Sequence, residues 1–239
     1  MNDKLHRIRV SVTTLLVVAL AIGLFLIPAG IIVWTATDPA LSGPGVPRAA
    51  WLWHRSLSRR YELWAPARVA SKVAAKHDGS VSGTEWALFG TVFYLLASEE
   101  LEKAAKSDAE KPSVYARKAL EAAADLVADP LQGTWVKEKY GPNYLHTENI
   151  FYRYLVIFGL GSYEKLTGDK KHRAFLEDQA KTLGAEFLAA KTFFLDDYPG
   201  ECWPSDCLWA VAAIRRADQI LGTDSSALVA HALKNVKET

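Results

Sequence analysis

Glu164-Lys-Leu-Thr-Gly-Asp169 and Gln219-Ile-Leu-Gly-Thr-Asp224 are the stretches that decide the fold. Each ends an apolar run at a glycine, Gly168 or Gly222, where a left-handed helix C-cap belongs. Each leads into a further helical pattern, about 170–190 and 225–236. The unit returns after 54 residues, from Gly168 to Gly222, so helical hairpins are expected to stack or to arrange in a ring. The upstream pattern agrees. Leu120, Ala123, Ala124 and Val127 fall at i, i+3, i+4 and i+7, as do Phe151, Tyr154, Leu155 and Phe158. Ser82 and Glu85 form a capping box opening a helix to about Lys106, and 48–76 reads as one or two helices broken near Pro66. No stretch reads as a strand or a βαβ unit. The expectation is an all-α chain of antiparallel helical hairpins, with about six or seven helices after residue 47.

At the other end of the chain, residues 10–34 carry no charge and are almost continuously apolar. That exceeds the roughly 20 residues a helix needs to cross the hydrocarbon layer. A cleaved secretory signal is the competing reading, with Thr37 and Ala40 as a weak cleavage option. Lys4, Arg7 and Arg9 precede the stretch and the first basic residue after it is Arg48. The positive-inside rule then gives a cytoplasmic tail (1–9), a single span (10–34), a Pro- and Gly-rich extended linker (35–47) and a helical domain (48–239) outside the cytoplasm, periplasmic or equivalent. The segments 86–98 and 151–161 have only core-helix length. With 28 Lys and Arg against 27 Asp and Glu, nothing favours a nucleic-acid partner.

The chain lacks His-Glu-x-x-His, Gly-x-Ser-x-Gly, Walker and Gly-x-Gly-x-x-Gly motifs. Two polar, aromatic-rich loops remain, 134–152 and 194–207, each feeding an apolar helix. If those helices are equivalent, both loops lie at one end of the bundle and present Trp135, Tyr144, His146, Glu148, Asn149, Tyr198, Glu201, Cys202, Trp203, Asp206 and Cys207 around one concavity. Cys207 falls in a first helical turn, with Ser205 or Trp203 as N-cap, where the helix dipole favours a thiolate. Glu201 and Asp206 oppose that and equally favour a neutral thiol or a raised carboxyl pKa. Capping alone also accounts for Asp206 and Glu148, and a solvated loop for Glu201, Asp196 and Asp197. Cys202 and Cys207, the only cysteines, read as a disulfide in an oxidising compartment or as free thiols lining a pocket. A metal pair would have only His146 as a nearby partner, too few ligands for zinc.

Trp135, the run Glu148-Asn-Ile-Phe-Tyr152, the helix end Leu166-Thr-Gly168, and the acidic loop leading to Cys207 and Ala210-Val-Ala-Ala-Ile214 agree in order and spacing over roughly 90 residues with one family. The segment from 135 to about 227 resembles the linalool dehydratase/isomerase family. The resemblance implies an (α/α)6 barrel, homo-oligomers, no metal or organic cofactor, and interconversion of terpene alcohols and an alkene in an apolar pocket. It places Cys207 on an active-site cysteine and Phe151 on an apolar pocket position, with Tyr152 beside it. The pattern departs where a family histidine is Leu155 here and another family cysteine falls near Tyr198. The chain holds about half the helices of such a ring and stops at Lys237-Glu-Thr239, which reads as an incomplete frame or a half-unit completed by association.

The expected function is a membrane-anchored hydro-lyase/isomerase acting on a small apolar, terpenoid-type alcohol. Glu201 or Asp206 would be the acid and Cys207 its partner in proton transfer. A glycan-binding or glycan-cleaving (α/α) barrel, with loop carboxylates and stacking Trp and Tyr, and a non-catalytic assembly module are the alternatives.

Overall fold

A computed structural model describes residues 2–76, 85–190 and 192–238 of the chain, with side chains for 11–76, 85–190 and 192–235. It divides into two compact units, Met1–Trp53 and His54–Thr239, a few residues beyond the boundary expected at 48.

In the first unit α1 (Asn2–Ala21) passes through a π-helical turn, Ile22–Leu26, into α2 (Ile27–Ala36). Pro28 is the cause. It lacks the N–H that would return to Leu24, and its ring crowds that carbonyl. The Ile27 N–H reaches back to the Ile22 carbonyl instead. Residues 11–36 form a 26-residue apolar stretch with no buried side chain, long and apolar enough to cross a membrane. An N-terminal signal sequence can also present a long apolar helix of this kind. The expected extended linker is partly folded. Asp38 caps a 3-10 turn, Pro39–Leu41, and accepts from the backbone and guanidinium N–H groups of Arg48 at 2.6 and 3.2 Å.

The second unit is helical, with α3 (Arg48–Ser71) leading into it, then α4 (Glu85–Ala104), α5 (Pro112–Tyr115), α6 (Arg117–Ala128), α7 (Thr134–Tyr140), α8 (Ile150–Thr167), α9 (Arg173–Ala189), α10 (Pro204–Leu221) and α11 (Ser226–Glu238). No strand occurs among the described residues, only one bridge between Tyr198 and Glu201. Ser82 of the expected capping box lies outside the described residues, and Glu85 begins α4.

The break expected near Pro66 does not occur. α3 runs through the proline and stops where Lys72 turns left-handed, at φ 53°. Tyr61, Ala65 and Val69 pack on Ala122 and Leu126 of α6. That contact holds the helix on both sides of the missing hydrogen bond. His54 stacks on Tyr94 and binds Ser98 and Tyr115 at 2.7 Å through its two ring nitrogens, tying α3 to α4 and α5. Burial, then the Arg55 charge, pull its pKa down to about 4, so the imidazole is neutral.

α8 is the central helix, packed on α4, α6, α9 and α10. Almost all its residues are buried. Gly159 is where it comes closest, since a Cβ there would meet Val127 and Val92 methyl carbons at 3.1 Å. Gly168 and Gly222 cap α8 and α10 at φ 69° and 73°, as their sequence predicts.

Candidate functional site

The two loops do arrive at one end of the bundle. The Ile150 N–H at the start of α8 donates to the Asp196 carbonyl, 3.3 Å away in the second loop. From Phe193 to Asp197 the chain is non-helical and its burial alternates: Phe193, Leu195 and Asp197 are inside, while Phe194 and Asp196 are less buried. A narrow turn follows, closed by mutual bonds between Tyr198 and Glu201 with Gly200 at φ 81°. This delivers Asp197 beneath the starts of α8 and α10.

Asp197 is 1% exposed. Its Oδ2 accepts the Trp203 N–H at 3.2 Å, while its Oδ1 is buried without a partner. Asp206, in the first turn of α10, accepts from the Tyr154 hydroxyl at 3.3 Å. The Asp206 carboxyl is near enough to act on Asp197 through its charge and by hydrogen bonding. Burial, then the Asp206 charge, push Asp197 up to about 8, against the pull of the Trp203 and Phe151 N–H groups. That value belongs to the pair. A buried carboxyl beside a second, half-buried one resists ionisation.

The pair opens onto a cleft of about 210 Å³ lined by Glu85, Phe151, Asp197, Tyr198, Trp203, Ser205 and Asp206. Tyr198 donates its hydroxyl to Glu85. Its ring lies 5.8 Å from Trp135 and carries the Lys139 ammonium over its face at 4.1 Å. Burial and neighbouring carboxylates raise the Tyr154 and Tyr198 phenols, so both remain donors. A larger cavity, about 450 Å³, lies among α9, α10 and α11. Two acids at its edge are engaged, Asp218 by Ser225, Thr223 and Arg215 and Asp224 by Ser226, and Glu177 and Lys181 also line it.

No family model and no curated protein matches this chain. The reading of its chemistry therefore rests on the residues themselves.

Tyr198, Trp203 and Asp206, expected around one concavity, and Phe151, expected at an apolar pocket position, line the cleft. Trp135 is just behind it, 6.4 Å from the Phe151 ring. The other expected residues are elsewhere. Glu201 is exposed at the tip of the turn. Cys207 is fully buried, its N–H already bonded to the Trp203 carbonyl and its Sγ 3.8 Å from the Leu195 carbonyl. Burial pushes its thiol up to about 12, so the first-turn position yields a neutral thiol. Cys202 and Cys207 are free, with sulfurs 3.8 Å apart. His146 pairs with Asp178 at 3.0 Å. Glu148 and Asn149 are held left-handed, at φ 40° and 52°, and Tyr152 is buried against Tyr144. α10 is capped by Trp203 without a side-chain bond, followed by Pro204. Among the described residues no three His, Cys, Asp or Glu side chains converge as metal ligands.

Asp197, Glu85 and Tyr154 are the residues that sequence reasoning missed as site members. Period-two burial through Phe193-Phe194-Leu195-Asp196-Asp197 is the signal that turns Asp197 inward.

Proposed function

We propose that the chain is a membrane-anchored hydro-lyase/isomerase of linalool dehydratase/isomerase type, acting on a small, largely apolar alcohol at the Asp197–Asp206 pair. The observation that carries this is the orphaned, buried Asp197 Oδ1 beside a second carboxyl in an aromatic cleft. Acid/base work at neutral pH needs one carboxyl protonated and its neighbour ionised. Asp197 gives its proton to the departing hydroxyl, the C–O bond breaks and water leaves. The faces of Phe151 and Trp203 stabilise the allylic cation. The Asp206 carboxylate takes a proton from the adjacent carbon, giving the alkene, and the proton passes back to Asp197 within the pair. Return of water to the far end of the allyl cation, with one of its protons passing to the Asp197 carboxylate, gives the isomeric alcohol. The cleft lies below the roughly 300 Å³ at which drug-sized pockets begin, which suits one small molecule better than a glycan chain.

In this reading residues 11–36 anchor the chain as a single span with the basic tail in the cytoplasm and the helical domain outside. Homo-oligomers would cover the exposed apolar side chains of α4 and α10, among them Trp86, Phe93 and Trp209. A reporter fused after Gly45 that is active only in the cytoplasm would reverse the orientation.

The enzymatic test is conversion of terpenoid alcohols by the full chain in lipid nanodiscs. Asp197→Asn should lower turnover by about a hundredfold or more. The wild-type rate should decline as pH rises past about 8, where the pair loses its proton. Turnover at the wild-type rate in Asp197→Asn, or no turnover of any such alcohol by wild type, would overturn the proposal.

A further inference from the structure

α3 and the turn after it present a surface unlike the rest of the helical unit. Leu57, Leu63, Trp64 and Val73 are exposed at 45, 77, 40 and 45%. Arg59 and Arg60 stand among them, exposed and without an ion pair among the described residues. Residues 54–76 hold six Lys or Arg against the single acid Glu62, whereas 77–239 hold eighteen against twenty-four. Net basic charge and exposed large apolar side chains therefore coincide on residues 54–76, whereas the exposed apolar side chains of α4 and α10 belong to the net acidic remainder.

The same surface has a built recess. Trp64, Ala67, Arg68, Ser71, Val73 and Lys76 line a cleft of about 490 Å³. Arg68 is fixed there, its Nε donating to Gln132 at 3.1 Å and its guanidinium 5.9 Å from the Trp64 ring centre. A phosphate oxygen entering this cleft meets a guanidinium and an ammonium, while an acyl chain meets an indole and Val73. Tryptophan beside arginine and lysine is the composition that settles at the boundary of headgroups and hydrocarbon.

We infer that this face of α3 lies on the bilayer and takes anionic phospholipid headgroups into the cleft between Arg68 and Lys76. The inference rests on the anchoring proposed above. Only the eleven residues 37–47 separate Ala36 from Arg48, a leash of at most about 40 Å. Charge complementarity selects the occupant, because the net basic charge of residues 54–76 attracts an anionic headgroup layer and the acidic remainder of the domain does not.

The test uses the full chain in nanodiscs of brominated phosphatidylcholine, with or without brominated phosphatidylglycerol. Quenching of individual tryptophans is read by difference from Trp34→Phe and Trp64→Phe. Trp34 reports the anchor and Trp64 reports α3. Trp34 should be quenched in both discs. Trp64 should be quenched strongly only with phosphatidylglycerol, and that quenching should be lost in about 1 M salt, where exposed charges are screened. The double variant Arg60→Gln/Lys76→Gln should lose it too. An unquenched Trp64 beside a quenched Trp34 would overturn the inference and leave the anchor standing. Equal quenching in both lipids, or shielding of Trp64 only in discs holding two copies, would overturn it in favour of uncharged insertion or self-association. An unquenched Trp34 would remove the anchor itself, and the inference with it.

Discussion

The loops entering α8 and α10 are alike in composition and opposite in use. In the first, the charged groups are engaged in holding the chain, and the buried atoms without a partner, Trp135 Nε1, Asn149 Oδ1 and the Tyr152 hydroxyl, are all neutral. His146 binds Asp178, the Glu148 N–H donates to Glu186 at 2.8 Å, and the Asn149 amide donates to the Tyr144 carbonyl at 3.0 Å. Arg153, with no exposed surface, binds Gln179, Thr182, Glu186 and the Glu148 carbonyl. In the second loop two carboxyls lie together, and one buried oxygen has no donor. Polar density alone does not mark a site. Both loops bury atoms without a partner, and the distinguishing feature is that in the second the atom belongs to a carboxyl beside another carboxyl, a group that can take up or give a proton.

The strongest way to break this contrast is Arg153→Leu. If the first loop is scaffolding, the variant strands Glu186 and the Glu148 carbonyl, and unfolding by denaturant should show a loss of about 3 to 5 kcal/mol. A loss under about 1 kcal/mol would place the loop among dispensable surface.

In the second loop the expected change has the opposite sign. An unfolded aspartate ionises near pH 4, whereas Asp197 keeps its proton to about 8, so stability falls as pH rises through that interval. His54 acts the other way. It is neutral in the fold down to about 4 and takes a proton near 6.5 when unfolded, so its contribution is lost as pH drops from 6.5 to 4. The two nearly cancel over 4 to 6.5 and leave Asp197 alone above it, a decline of roughly 2 kcal/mol between pH 6.5 and 8. Asp197→Asn should abolish that decline in a pH series of unfolding midpoints. A flat wild-type profile over that range would mean that the pair does not hold its proton.

The smallest effect is expected at His146, whose pair with Asp178 is nearly half exposed on both sides. His146→Ala should cost no more than about 1 kcal/mol and leave turnover unchanged. Loss of activity without loss of stability would return His146 to the site, where the sequence had suggested it belongs.

Helical repeats were legible because glycine at a helix end has one conformational reason to be there, and Gly168 and Gly222 both meet it. Pro66 was misread because the local rule says that proline breaks helices, while the Ala65 contact with Ala122 and Leu126 that overrides it spans some sixty residues of sequence. The site was half legible for the same reason. Phe151, Trp203 and Asp206 follow from helix starts, a local pattern. The raised pKa of Asp197 depends on burial and on Asp206, and it is the closing turn that turns the residue inward, a relation between separate segments. Cys207 shows the converse. Its position in the first turn argued for a thiolate, but complete burial outweighs the dipole.

The π turn at Ile22–Leu26 has a consequence for how the apolar helix presents itself to neighbours. A bond spanning five residues takes up one residue more than the regular helix, and each residue of an α-helix turns the surface by about 100°. The stripe that faces a given direction before Ile22 is therefore offset in azimuth after Leu26. A second straight helix lying alongside could follow one half of the 26 residues closely, but would meet a different set of side chains along the other. Deleting one residue within 22–26 would realign the halves into a single continuous ridge.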